Sequence, residues 1–462
     1  MQGENAVFKR VKKLKLEMTT TQKIMFSFLL VIFAGSVLLS LPISTQSGEA
    51  VPYIDALFTA TTATCVTGLV TLPTVSTWSV FGQVVILLLI QIGGLGVITI
   101  ITGVFVGMHK RMGIGDSMLI QDAFNLNTLS GLREFVKKVI CGTFLVEGIG
   151  AVLYMFVFVP EYGVRGIWIA VFNAVSAFCN AGIDIISENS LCEYVHHPLI
   201  NAVTCALIVV SGIGYIVWWD ILRVLKNYKK QKFRCFRSLT LHSKIAISAT
   251  GILIVAGAVL VFIFEYNNPL TMKEYTLFQK IQASVFQSIT TRTAGFATIP
   301  QQDLSNATSI VSLLLMFIGG SPVGTAGGVK TVTMVILLMA AFAAIRNKNE
   351  VELFHRTVMK EAVSKAVAVV CMSFIIMFVS TVLLSAVTQA DALDIFYETV
   401  SATATVGLTR NLTPFLNMWG KLIIIVTMYL GRVGPISLAT AFNTRKECPN
   451  IIKNPTEKIS VG

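Results

Sequence analysis

Eight nearly uncharged apolar runs constrain this chain more than any other feature: residues 24–43, 80–107, 199–219, 245–264, 309–319, 332–345, 366–387 and 421–431. A run of about 20 apolar residues is long enough to cross hydrocarbon as a helix. A helix also satisfies its backbone polar groups internally, which lipid requires. No segment alternates with the strict period of two of a membrane β-strand. Composition agrees, with 13% charged residues where a water-soluble domain carries roughly 25%. An all-α integral membrane protein seated in the lipid bilayer is expected. The first run, Met25–Pro42, follows a basic start as a leader peptide would. It lacks a small-residue cleavage site and more spans follow, so it is expected to be a retained helix.

The net charge of +12 would suggest nucleic acid in a soluble protein. Placement of the charge argues against that partner. Of 36 Lys and Arg, 29 fall in the segments 1–23, 108–138, 223–244, 330–365 and 442–462. Excess Lys and Arg in short loops marks the cytoplasmic side. These segments are therefore expected on one side, with both termini cytoplasmic. The run Lys226–Arg237 reads as a topology signal that also suits anionic lipid. The cysteines form no CxxC pairs, so neither a disulfide frame nor a zinc site is expected.

Each stretch between basic segments leaves and re-enters the same side, so it holds an even number of spans. Each contains two long apolar runs and, between them, a shorter segment ending in glycine. The short segments read FTATTATCVTG at 58–68, FNAVSAFCNAG at 172–182, VFQSITTRTAG at 285–295 and YETVSATATVG at 397–407. Their terminal glycines recur every 112–114 residues, and a constant phase of this kind signals internal repetition. The units are expected at 21–110, 111–228, 229–350 and 351–445, between a cytoplasmic segment 1–20 and a tail 446–462. Four helix–pore loop–helix units closing around a pseudo-fourfold axis form the expected fold.

A short helix followed by an extended strand presents backbone carbonyls to such an axis, and rings of carbonyls replace the hydration shell of K⁺. Glycine serves where a Cβ would hinder the strand, and the negative C-terminal end of the helix favours a cation. The expected filter strands are Thr64, Cys65, Val66, Thr67 and Gly68; Phe178, Cys179, Asn180, Ala181 and Gly182; Thr291, Arg292, Thr293, Ala294 and Gly295; and Thr403, Ala404, Thr405, Val406 and Gly407. Cys65 and Cys179 share one repeat position, where a small side chain packs behind the strand.

The third inner helix is expected to break. Residues 319–328 hold Gly319, Gly320, Ser321, Pro322, Gly324, Thr325, Gly327 and Gly328, and in a helix each Gly costs about 1 kcal/mol and each Pro about 3. Irregular backbone at membrane depth is tolerated where it lines a cavity or is buried in protein. A small-residue loop there suits a gate, and close helix packing is the alternative. It is not a phosphate-binding P-loop, because Val329 rather than Gly precedes Lys330. Arg432 lies in an apolar helix, where a charge costs about 3 kcal/mol or more. It is expected at the pore wall, as a barrier or as a partner of the 319–328 loop, with an arginine snorkelling from a helix end as the alternative. Arg292 is expected to point behind the filter and pair with an acid, and Glu398 is an acidic candidate near the pore mouth. Asp55, Asp184, Glu188, Asp391 and Asp394 are placed on the outer side, either drawing cations in or simply solvated.

The four glycine-ended segments, SATATVGLT at 401–409 above all, resemble the degenerate filters of the Trk/Ktr/HKT superfamily of K⁺ transporters. QIGGLGVIT at 91–99 resembles the start of that family's first inner helix. GGSPVGTAGGVKT at 319–331 resembles its intramembrane loop, and GRVGP at 431–435 its fourth inner helix with a pore-facing arginine. The resemblance covers residues 20–445, and the short termini look more like the membrane subunit of bacterial Ktr systems. It implies K⁺ as the transported ion, with a glycine in all four filters. It also implies a homodimer and a cytosolic nucleotide-binding ring of RCK/KTN type. No cofactor is expected in the chain beyond bound K⁺ or Na⁺, and channel conduction against coupling to Na⁺ or H⁺ is left open.

A secondary transporter with inverted repeats and alternating access is the main alternative. Inversion needs an odd number of spans per repeat, and here every unit begins and ends on one side. An enzyme is not expected, since no HExxH, GxSxG or paired-His motif appears. A purely structural or receptor protein leaves the repeated glycine loops unexplained.

Overall fold

The structure is a computed structural model, and it describes residues 19–97, 99–100, 102, 132–226, 235–348 and 350–434. The unit borders at 110/111, 228/229 and 445/446, and the terminal segments apart from residues 19 and 20, lie outside the described residues. The fold is helical. First come α1 (Thr20–Leu39), α2 (Tyr53–Cys65) and α3 (Val80–Leu95). They are followed by α4 (Leu132–Tyr162), α5 (Val164–Cys179), α6 (Pro198–Gly212) and α7 (Tyr215–Lys226). Next are α8 (Leu241–Glu265), α9 (Leu277–Thr290), α10 (Asn306–Phe317) and α11 (Thr331–Ile345). The last are α12 (Lys360–Val387), α13 (Ala392–Ala404) and α14 (Met418–Val433). A two-residue β-hairpin, Glu352–Leu353 with Arg356–Thr357, joins α11 to α12.

Among the described residues, four single helices are long and apolar enough to cross a membrane, and they lie within α1, α4, α8 and α12. Their outer faces expose large apolar side chains, among them Phe33, Phe156, Ile252 and Phe378. Patches of this extent are untenable in water and natural in lipid. Polar side chains set the helix starts. Thr19 and Gln22 form a capping box on α1, as Thr276 and Gln279 do on α9. Each satisfies two backbone N–H groups that would otherwise lack partners.

The order long helix, short helix, loop, inner helix recurs four times, and the units close on themselves. Each short helix packs on the long helix before it, and also on the inner helix of the preceding unit. Thus α2 meets α14, α5 meets α3, α9 meets α6 and α13 meets α10. The contact of α2 with α14 joins the last unit to the first and completes a ring.

The second and third inner helices are broken. The apolar run 199–219 reads as one span, yet α6 and α7 meet at 95°. Gly214 takes φ +96° there, and an added methyl would collide with the Pro322 carbonyl. The break is held by Ser321 N–H donating to Gly212 O at 2.8 Å and Tyr215 N–H to Val323 O at 2.9 Å. In the third unit, residues 318–330 form a loop between α10 and α11. The loop satisfies its own backbone through Gly319 N–H to Val329 O at 3.0 Å and Thr331 N–H to Gly320 O at 3.0 Å. Such pairing lets non-helical backbone persist at membrane depth.

Candidate ion-conducting site

The four repeated glycines meet at the centre of the ring. Their φ angles are +97° at Gly68, +63° at Gly182, +84° at Gly295 and +98° at Gly407, values open to glycine and costly to other residues. An added methyl on Gly68 would lie 2.5 Å from Ala181 O, and one on Gly182 would lie 2.7 Å from Ala294 O. On Gly295 it would strike Val406 O, and on Gly407 it would strike Thr67 O. Each glycine thus faces the carbonyl that precedes the glycine of the next unit, in the order first, second, third, fourth, first.

The segments are held by a repeated device. Six places before the glycine stands a hydroxyl residue in three units. Thr62 Oγ1 accepts from Gly68 N–H at 3.0 Å, and Ser401 Oγ accepts from Gly407 N–H at 3.0 Å. Ser176 Oγ accepts from Ile183 N–H at 3.2 Å and donates to Ile183 O at 2.5 Å. In the third unit Thr290 sits one place later and donates to Phe296 O at 2.6 Å. Two places before each glycine the backbone is left-handed: Val66 φ +55°, Asn180 +60°, Thr293 +72° and Thr405 +51°. None of these is glycine, and three are β-branched. Such positions cost about 1–3 kcal/mol each and cluster where the surrounding structure enforces them. The sequence reading missed both features, although the hydroxyl at a constant offset was visible in the aligned segments.

The 318–330 loop rests against the early ends of these segments. Asn180 Nδ2 donates to Thr325 Oγ1 at 2.9 Å, and that hydroxyl donates to Phe178 O at 3.0 Å. Gly327 N–H donates to Thr293 Oγ1 at 3.2 Å, and Gly327 also abuts Thr405 and Ala404 O. Arg432 donates from Nη1 to Thr325 O at 2.8 Å and from Nη2 to Gly93 O. Within the loop, Lys330 Nζ donates to Ala326 O at 2.6 Å, and Ser321 shares a hydrogen bond with Thr331 at 2.9 Å. Gly319, Gly320, Pro322, Gly324 and Gly328 complete its path.

Several expected charge relations differ. Arg292 does point behind its strand, buried, but no carboxylate among the described residues lies within ion-pairing distance. Its Nη2 donates to Gly319 O at 3.3 Å and Thr250 Oγ1 at 3.4 Å. Two neutral oxygens take the place of the expected acid because the strand turns this side chain towards α8 and the loop. Glu398 instead accepts from Thr409 at 2.7 Å and from Thr413, which fastens the backbone beyond Gly407. Asp55 is not a free surface charge; it pairs with Lys421 at 2.5 Å, and both are largely buried. Asp394, at the same repeat position, pairs with Arg410 at 2.6 Å. Glu188 accepts from Ser76 at 2.9 Å. Among the described residues no three His, Cys, Asp or Glu side chains stand together as a metal site.

Fold and site together define a multi-pass membrane protein of channel-like architecture, with four re-entrant segments ringed about one axis and an intramembrane loop against them. A family model described as TrkH, cation transport protein, matches residues 4–453. The chain is 38% identical to the potassium/sodium uptake protein NtpJ of Enterococcus hirae over 98% of this chain and 99% of the relative. It is 39% identical to the Ktr system potassium uptake protein B of Bacillus subtilis over 96% of this chain and 97% of the relative. The crystal structure of the potassium transporter TrkH from Vibrio parahaemolyticus matches with a TM-score of 0.72 at 16% identity, covering 94% of this chain and 86% of that one. That last likeness is one of fold. The chain belongs to the TrkH family of cation transport proteins, and it is a transporter rather than an enzyme.

Proposed function

We propose that this protein takes up K⁺ across the cell membrane through the central ring, with the backbone oxygens of Thr64–Gly68, Phe178–Gly182, Thr291–Gly295 and Thr403–Gly407 acting as the filter. The observation that carries this reading is the cyclic approach of Gly68, Gly182, Gly295 and Gly407 to the carbonyls of Ala181, Ala294, Val406 and Thr67. Carbonyl rings of this kind stand in for the water shell of a monovalent cation. The printed functions of the Enterococcus and Bacillus relatives support K⁺ as the ion, and the first of them also raises Na⁺ as a coupled or competing ion. The loop at 319–328 acts as the gate, with Arg432 as its latch; the hydrogen bonds from Arg432 and Asn180 to Thr325 support this. Both termini are cytoplasmic, as the basic segments argue. The working assembly is a homodimer on a cytosolic nucleotide-binding ring.

The test is growth of a K⁺-uptake-deficient bacterium on low K⁺. Expression of this chain restores growth and Gly407→Asp does not. Equal growth with both would end the reading. Ion flux into liposomes, with K⁺ and Na⁺ gradients varied separately, then separates a channel from a coupled transporter with alternating access.

A further inference from the structure

Glu147 is a buried acid to which the proposed pathway assigns no role. It sits near the middle of α4, 4% exposed, in a span otherwise uncharged from Val139 to Val159. An ionisable side chain at that depth is costly and marks a functional position by default. Its contacts run to the back of the second filter segment. Gln91 Nε2, from α3, donates to Glu147 Oε2 at 3.3 Å. The Cys179 thiol, at the end of α5, faces Glu147 Oε1 at 3.9 Å and Gln91 Oε1 at 3.8 Å. Gly94 closes the pocket from α3, where an added methyl would lie 2.5 Å from Cys179 Sγ. The hydroxyls of Thr143 on α4 and Tyr215 on α7 share a hydrogen bond at 3.3 Å one turn away. Among the described residues no Lys, Arg or His forms an ion pair with Glu147.

The residue after Cys179 is Asn180, whose left-handed backbone turns the chain into the filter and whose side chain holds Thr325. Carboxyl, amide and thiol therefore grip the segment from behind, just where the chain leaves α5. Gln91 and Glu147 come from two different units, so the grip sets the depth of the second segment relative to the first. We infer that Glu147 is a positioning residue of the second filter segment, one that tunes discrimination between K⁺ and Na⁺. This rests on the reading of the four segments as a cation filter.

The test is equilibrium binding of KCl and NaCl, at constant ionic strength, to the purified full-length chain in detergent. Glu147→Leu and Gln91→Leu are each expected to lower the K⁺-over-Na⁺ affinity ratio by about tenfold, and the double variant by no more than either alone, as coupled neighbours do. Glu147→Gln, which keeps a side chain of the same length and an oxygen for Gln91, is expected to stay within about twofold of the parent ratio. An unchanged ratio in Glu147→Leu, or two losses that multiply in the double variant, would overturn the proposal. If Glu147→Leu does not fold, Cys179→Ala removes the same contact from the filter side and is judged by the same ratio. A parent protein without preference for K⁺ would instead strike the filter reading itself, so the two failures are distinguishable.

Discussion

Asn180 and Thr325 are 145 residues apart in sequence, and their side chains meet at 2.9 Å where the second glycine-ended segment touches the loop at 318–330. Thr325 passes the contact on to Phe178 O at 3.0 Å. Asn180 is thus both a turn residue of the segment and the clasp of the loop. Replacing either side chain removes this buried hydrogen bond, worth about 0.5–1.5 kcal/mol. Asn180→Ala and Thr325→Val are therefore expected to raise K⁺ flux into liposomes in the absence of any cytosolic partner. Flux no higher than that of the parent in both variants would argue that the loop is not held closed by this clasp.

The ring of glycines carries a sharper expectation. Gly407 combines φ +98° with direct approach to Thr67 O, so a methyl there meets both a strained backbone and a collision. A strain of roughly 1–3 kcal/mol at a single backbone position corresponds to about 5- to 150-fold in an equilibrium. Gly407→Ala is expected to reduce K⁺ uptake by at least about fivefold, while the protein still elutes as a single species from size-exclusion chromatography. Uptake at the parent rate would show that the fourth segment tolerates a side chain.

The buried pair of Asp55 and Lys421 joins the first short helix to the last inner helix, and so helps to close the ring. Removing one partner of a buried pair costs about 3–5 kcal/mol, whereas replacing both by apolar residues is often near neutral. Asp55→Leu and Lys421→Met should each lower the melting temperature in detergent by several degrees. The double variant should recover most of the loss. Additive losses would indicate that the two charges do not act on each other.

Asp184 gives a pH dependence. It lies in the loop after Gly182, and burial pushes its carboxyl up to about 6, against hydrogen bonds from the Ser190 hydroxyl and the N–H groups of Ile186 and Ser187 that draw it down. A carboxyl raised on folding favours the folded state at low pH, and that contribution is lost as pH rises through about 6. Asp184→Asn removes the cost of ionising the group. The variant is expected to match the parent near pH 3, below the ordinary carboxyl pKa of 3.8, and to melt higher than it near pH 7.5. Equal melting curves at the higher pH would mean that this carboxylate carries no burial cost.

Much of this architecture could be read from the chain. Apolar length and the constant phase of Gly68, Gly182, Gly295 and Gly407 already required membrane helices and a fourfold repeat. The glycines and proline of 319–328 already forbade an unbroken third inner helix. These readings depend on local chemistry, in which a backbone in lipid must satisfy itself and glycine goes where a side chain cannot.

The partners could not be read in the same way. Arg292 lacks its expected acid, Asp55 finds Lys421 from the far end of the chain, and the run 199–219 bends because a loop more than a hundred residues later occupies the space beside Gly214. The left-handed turns at Val66, Thr293 and Thr405 run against the preferences of those residues. They persist only because the packed ring enforces them. Sequence by itself settled which segments enter the membrane and which backbone positions must be bare. Tertiary structure alone decided which polar groups meet, because a buried hydrogen bond depends on distance in space and not on separation along the chain.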